Sequence, residues 1–323
     1  MNIKPIIIVW GEPNSIFSEI FLKSIKKFRL KRPIILIGCK KLFFNQLKMI
    51  KIKFNKKKFQ DIFENLKDLK KNKINFLDVN YNFKKPFEKI SSNSNLYISK
   101  CFDQAFKILN KYKNSDLING PISKKFFLAE KYKGITEMLS HKYKRTDKTC
   151  MLIYHKELSV SPITTHLPIS KVSNHLTIKK IIQNIELINN FYKKNFSKVP
   201  RIALCGLNPH CENFYKIKTE EDAIIIPAIK ILKKNFNVKG PFSTDTMFIK
   251  KIRSEFDVIV GMYHDQVLTP IKTIYGFDPI NITLGLPFVR ISPDHGPNFN
   301  MIGLKKSNPQ SLINSIKFLN NLK

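Results

Sequence analysis

The chain has 323 residues, 43% of them hydrophobic, and 57 Lys and Arg against 24 Asp and Glu give a formal net charge of +33. That length allows one large domain or two ordinary ones with chain to spare for a buried core. No charge-free apolar run reaches the roughly 18 residues of a spanning helix, and five cysteines without a C-x-x-C pair exclude both a disulfide framework and a zinc ribbon.

The first apolar run, Ile6 to Trp10, follows a single Lys and has no small-residue cleavage site behind it, so it reads as a strand and not as a signal peptide. Further strands are expected at Pro33 to Gly38, Ile74 to Val79, Met151 to Tyr154, Arg201 to Leu207, Val258 to Met262 and Ile280 to Leu284. Asn119-Gly120-Pro121-Ile122-Ser123-Lys124 reads as a turn that leaves a strand and enters a helix, with a crossing between lobes nearby. After Thr177, the spacing of Ile178, Ile181, Ile182, Ile185 and Ile188 predicts a helix with one buried stripe and with Lys179, Lys180 and Glu186 outward. A second helix should open at Thr219, whose hydroxyl can cap, with Glu220, Glu221 and Asp222 in the positive first turn. The last helix starts at Asn308-Pro309 and buries Leu312, Ile316 and Leu319. Strands alternating with helices imply a mixed α/β sheet architecture. Neither G-x-G-x-x-G nor a Walker A sequence is present, so a dinucleotide would not be held by the usual glycine-rich turn.

The positive charge invites a nucleic-acid reading. Most of the excess, however, is Lys spread along the whole chain beside many Ile, Asn and Phe and few Gly, the bias expected of AT-rich coding. The densest basic stretch, Lys51 to Phe59, reads as a solvated face or loop. No nucleic-acid-binding motif accompanies it, and a basic field suits a small phosphorylated or carboxylated substrate equally well. Unpaired cysteines point to a reducing cytoplasm, and Cys211 reads as a small packing residue sooner than a soft metal ligand.

Three histidines each close a strand-like run: His166 in Thr164-Thr165-His166-Leu167-Pro168, His210 in Asn208-Pro209-His210, and His264 in Tyr263-His264-Asp265-Gln266. Clusters at strand ends gather along one sheet edge, where open α/β proteins bind ligands. Two readings fit. The imidazoles either satisfy hydrogen bonds at strand ends or converge on one divalent ion, with Asn208, Asp265 and Thr165 close by.

An ordered set of motifs then becomes specific: Gly120-Pro121-Ile122, Gly134-x-Thr136-Glu137, the three histidine motifs, Asp245-Thr246, Asn281-Ile-Thr-Leu-Gly-Leu-Pro-Phe288 and Asp294-His295-Gly296. From about Pro5 to Gly303 the chain resembles the 4-hydroxythreonine-4-phosphate dehydrogenases of pyridoxal phosphate biosynthesis. The resemblance implies two α/β/α lobes around a cleft, similar to the isocitrate and isopropylmalate dehydrogenases. One lobe would comprise residues 1–125 plus about 285–323 on the cofactor side, the other about 126–284 with the metal ligands and dimer contacts. It further implies a homodimer with shared active sites and no nucleic-acid or membrane partner. The substrate would be a small phosphorylated hydroxy-amino acid, 4-phosphohydroxy-L-threonine, oxidised by NAD or NADP and then decarboxylated.

By the same resemblance, His166, His210 and His264 would hold one divalent ion, for which zinc, cobalt, manganese and magnesium are all candidates. Thr136, Lys272, Asn281 and Arg290 would contact substrate, with Lys272 and Asp265 as the catalytic candidates. Asp294, His295 and Gly296 would meet the cofactor. Four stretches depart from the family pattern: Ile135 replaces the His of Gly-His-Thr-Glu, bulk replaces glycines in Asn14 to Phe17 and Cys211 to Tyr215, and it replaces the usual small residues in Pro297 to Phe299. These departures leave open a relative that oxidises another hydroxy acid, such as a phosphorylated sugar acid or a dihydrodiol carboxylate.

Overall fold

The structure is a computed structural model and describes residues 4–27, 30–63, 66, 68–128, 132, 134–211, 218–294 and 296–322. Its strands are β1 (Ile6–Val9), β2 (Ile34–Gly38), β3 (Phe59–Asp61), β4 (Ile74–Asp78), β5 (Asp116–Asn119), β6 (Cys150–Tyr154), β7 (Ser159–Pro162), β8 (Ile202–Cys205), β9 (Val238–Phe242), β10 (Val258–Gly261), β11 (Ile280–Leu284) and β12 (Arg290–Ser292). The chain divides into two compact units, one of Met1–Met138 with Pro287–Asn321, the other of Leu139–Leu286 with the last two residues.

The first unit orders its strands β3-β4-β2-β1-β5-β12, and every neighbouring pair is parallel. A parallel sheet is covered on both faces, so its strands read as unbroken apolar runs; Ile6, Ile7, Ile8 and Val9 are all fully buried. Trp10, Phe17, Phe21, Phe43 and Phe76 interlock beside that sheet at ring separations of 5.5 to 6.0 Å. The final helix, Gln310–Asn321, begins where expected: Asn308 Oδ1 accepts from the Gln310 N–H at 2.9 Å, and Leu312, Ile316 and Leu319 are buried.

In the second unit the order is β11-β6-β7-β10-β8-β9. The β11-β6 and β6-β7 pairs are antiparallel, and the β7-β10, β10-β8 and β8-β9 pairs are parallel. The helix Ile178–Phe196 has Thr177 as its cap, with Oγ1 accepting from the Lys180 N–H at 3.2 Å, and buries Ile181, Ile185 and Ile188. Registers Gly261 with Pro162 and Val260 with Leu204 bring the C-terminal ends of β7, β10 and β8 level along one edge.

The α/β class and all seven expected strands are present, with ends within two residues. The basic stretch is largely exposed, as a 3-10 turn at Lys56–Lys58 followed by short β3. One local expectation is corrected. Thr219 does not cap through its hydroxyl; instead the Asp222 carboxylate accepts from both Thr219 Oγ1, at 3.1 Å, and the Thr219 N–H, at 3.4 Å. An acceptor three residues into the helix does the same work from the other side. Among the described residues no helix is long and apolar enough to cross a membrane.

Candidate active site

Each histidine motif leaves the carboxyl end of one of three adjacent parallel strands: His166 after β7, His264 after β10 and His210 after β8. Pairing persists past the strand ends on one side, where the Ile163 and Thr164 N–H groups donate to Gly261 O at 2.8 Å and Met262 O at 3.1 Å, and Thr164 Oγ1 donates to the same Met262 carbonyl at 2.7 Å. His264 opens the helix His264–Tyr275, and Lys272 lies two turns on along it, exposed. The His166 and His264 rings lie 6.3 Å apart, tilted by 34°.

Carboxylates sit against two of the three imidazoles. Asp265 Oδ1 is 2.6 Å from His264 Nδ1, which makes that nitrogen the N–H and leaves Nε2 as the electron-pair donor. His210 has Ser243 Oγ at 3.5 Å and Asp245 Oδ2 at 3.8 Å from its Nδ1. His210 and Cys211 both occupy the left-handed region, at φ 56° and 57°. Burial alone would raise the Glu221 carboxyl, but N–H groups of Asn208 and Leu207 and the Asn208 amide outweigh it and hold Glu221 below the usual range.

The first unit carries a second cluster. Arg290, 3% exposed in β12, donates from Nε to Asn119 Oδ1 at 2.8 Å and from Nη1 to Thr136 Oγ1 at 3.0 Å. Burial pushes its guanidinium down to about 10, with the Glu137 carboxylate pulling the other way. Thr136 and Arg290 are therefore in direct contact, whereas Lys272 and Asn281 belong to the second unit, Asn281 in β11 opposite Ile153. Asp294 and Gly296 are exposed, and the Asp294 N–H donates to Ser311 Oγ at 2.8 Å. His295 and the substituted stretch Glu212 to Tyr215 lie outside the described residues.

Residues 29–319 match the family of pyridoxal phosphate biosynthetic protein PdxA. The 4-hydroxythreonine-4-phosphate dehydrogenase of Sulfurihydrogenibium sp. is 35% identical over 319 residues, 96% of this chain and 95% of that one. The chain belongs to the PdxA family. A putative D-threonate 4-phosphate dehydrogenase of Oceanobacillus iheyensis is 30% identical over 98% of this chain and 97% of its own length. The crystal structure of 4-hydroxythreonine-4-phosphate dehydrogenase from Klebsiella pneumoniae superimposes with a TM-score of 0.83 at 28% identity, covering 98% of both chains. The relatives' names place this PdxA chain among oxidoreductases.

The donor set suits a divalent ion in its chemistry, three neutral imidazoles with carboxylates near two of them. Two imidazoles on one tetrahedral ion would sit with ring centres about 5 Å apart, given metal–nitrogen bonds of about 2 Å. The His166 and His264 rings, at 6.3 Å, stand farther apart than that spacing. Among the described residues no three His, Cys, Asp or Glu side chains are already grouped for metal binding, so the third imidazole would have to be drawn in.

Asn119, Glu137 and Gln266 had no site role assigned from sequence, and Glu220 and Glu221 were read only as charges in the first turn of a helix. Their signal was weak because each acts on backbone or on another side chain. Position beside a motif, as with Asn119 before Gly120-Pro121 and Gln266 after His264-Asp265, was the one hint available.

Proposed function

We propose that this PdxA chain oxidises the C3 hydroxyl of 4-phosphohydroxy-L-threonine with NAD or NADP. The resulting β-keto acid then loses carbon dioxide to give 3-amino-2-oxopropyl phosphate. The observation that carries this reading is the alignment of the His166, His264 and His210 loops on three adjacent parallel strand ends. Held by those imidazoles, a divalent ion would lower the pKa of the substrate hydroxyl and polarise the ketone formed from it. The nicotinamide would accept the hydride.

The chain's own residues have separable tasks. Asp265 holds the His264 ring by its Nδ1. Arg290 offers a rigid fork, pre-oriented by Asn119 and Thr136, for a phosphate or carboxylate. Asn281 orients the substrate by its amide, and Lys272 Nζ supplies the point charge and the proton that the carbon requires after carbon dioxide leaves. Asp294, His295 and Gly296 would meet the cofactor, and two chains would share each site.

A second reading has its own observation. Ile135 is 9% exposed where the family pattern has His, so a substrate-contacting imidazole is missing there. A phosphorylated sugar acid is the alternative substrate, and one relative at 30% identity carries the name putative D-threonate 4-phosphate dehydrogenase. The test follows reduced-nicotinamide absorbance with each substrate before and after chelation. Metal-dependent turnover of the phosphorylated amino acid, lost in His210→Ala, supports the first reading; preference for D-threonate 4-phosphate selects the second.

A further inference from the structure

Two buried side chains grip the backbone from which His210 is carried. Glu221, 2% exposed, accepts from the Leu207 N–H at 2.7 Å and the Asn208 N–H at 2.9 Å through Oε1, and from Asn208 Nδ2 at 2.8 Å through Oε2. Gln266, 7% exposed, accepts from the Met262 N–H at 2.6 Å and donates from Nε2 to Gly206 O at 2.7 Å and Thr244 Oγ1 at 2.9 Å. The loop is thus held at the carbonyl of residue 206 and the amides of 207 and 208, while the same glutamine holds the end of β10.

Close packing around that grip leaves room only for glycine at two of these points. A Cβ on Gly206 would run first into Cys211 Sγ and would lie 2.9 Å from Glu221 Oε1, and one on Gly261 would lie 2.6 Å from Val267 Cγ1 and 2.8 Å from Gln266 Oε1. Neither position has room for a Cβ beside the bracing side chain. Immediately beyond the gripped segment, His210 and Cys211 take left-handed backbone at φ 56° and 57°. Non-glycine residues stay there only where their surroundings over-determine the conformation.

We propose that Glu221 and Gln266 are positioning residues that brace the loop after β8 against the end of β10 and so fix where His210 stands relative to His264. The inference rests on the metal reading of the three histidines given above. A two-point brace does what neither imidazole can do for itself: it pre-pays the ordering of the His210 loop, which binding would otherwise have to supply.

The test is competition between the metal-free protein and a chromophoric chelator for Zn²⁺, run on wild type, His210→Ala, Glu221→Met, Glu221→Gln, Gln266→Leu and Gln266→Glu, with thermal melts of each metal-free protein. Glu221→Met and Gln266→Leu should bind Zn²⁺ about tenfold or more weakly. Glu221→Gln and Gln266→Glu, which keep shape and one of the two kinds of contact, should fall between them and wild type and report in case the apolar variants do not fold. A purely structural role would lower the melting temperature and leave the affinity of the folded protein alone. If His210→Ala loses Zn²⁺ while all four brace variants bind like wild type, the brace is overturned and the metal reading stands. If wild type itself binds no Zn²⁺, the metal reading fails and the proposal falls with it.

Discussion

Arg290 Nε donates to Asn119 Oδ1 at 2.8 Å, joining the start of β12 to the end of β5 inside the first unit. A cation this deeply buried is costly unless its N–H groups are met, and the fork is oriented through that bond and the one to Thr136. Asn119→Leu should therefore raise KM for the phosphorylated substrate roughly tenfold, about 1.4 kcal/mol, with a smaller fall in kcat. Arg290→Lys should not substitute, since a point charge cannot reproduce the fork. Steady-state kinetics indistinguishable from wild type in both variants would remove Arg290 from the substrate's surroundings.

Asp265 Oδ1 lies 2.6 Å from His264 Nδ1, although the Asp265 side chain is 77% exposed. An exposed carboxylate adds little to stability, so its value lies in fixing the imidazole's orientation. Asp265→Ala should leave the melting temperature of the metal-free protein unchanged within about 1 °C. It should weaken Zn²⁺ binding about 10- to 100-fold. A destabilised protein with undiminished affinity would show that the contact is structural.

Thr177 is the cap of the longest helix described, and its Oγ1 satisfies the Lys180 N–H at 3.2 Å. Thr177→Ala should cost about 1 kcal/mol of unfolding free energy, and Thr177→Ser close to nothing. Chemical denaturation of the two variants side by side checks this, and equal losses would mean that the lost methyl matters and not the hydroxyl.

Strands with apolar β-branched runs were legible because both faces of a parallel sheet are covered: β1, β2, β4, β8 and β10 all read directly from Ile, Leu and Val, and so did β11, although it pairs antiparallel with β6. The missed strands lacked that signal. β7 alternates Ser with Val and Pro, its Ser159 hydroxyl meeting Tyr192 and its Ser161 hydroxyl meeting Met151 O. β9 contains Gly240-Pro241, composition that argues against a strand and is tolerated here at the outer position beside β8. The histidines were legible because they punctuate strand ends. Glu221 and Gln266 were not, because a side chain that binds the backbone of a distant loop leaves no spacing to read.

Asp257 is the clearest source of acid sensitivity in the second unit. Its carboxylate, 11% exposed, accepts from Lys198 Nζ at 2.8 Å and from the Arg201 N–H, Nε and Nη2 at 2.9, 3.3 and 3.1 Å. Burial alone would raise its pKa, but the Arg201 side chain and backbone N–H, with Lys198, outweigh burial and hold it below the usual aspartate value. A carboxyl depressed in the folded state stabilises fully above its unfolded pKa of about 3.9 and loses that contribution as pH falls through the folded value. The Lys198 and Arg201 side chains are 51% and 47% exposed, so solvent screens the ion pairs and the backbone N–H carries much of the effect. Asp257→Asn should therefore cost about 1–2 kcal/mol at neutral pH. The gap from wild type should hold down to about pH 5 and close below about pH 4 as the wild-type carboxyl takes up its proton. Urea denaturation across that range measures it, and a gap that stays constant or widens on acidification would mean that Asp257 is not the group responsible.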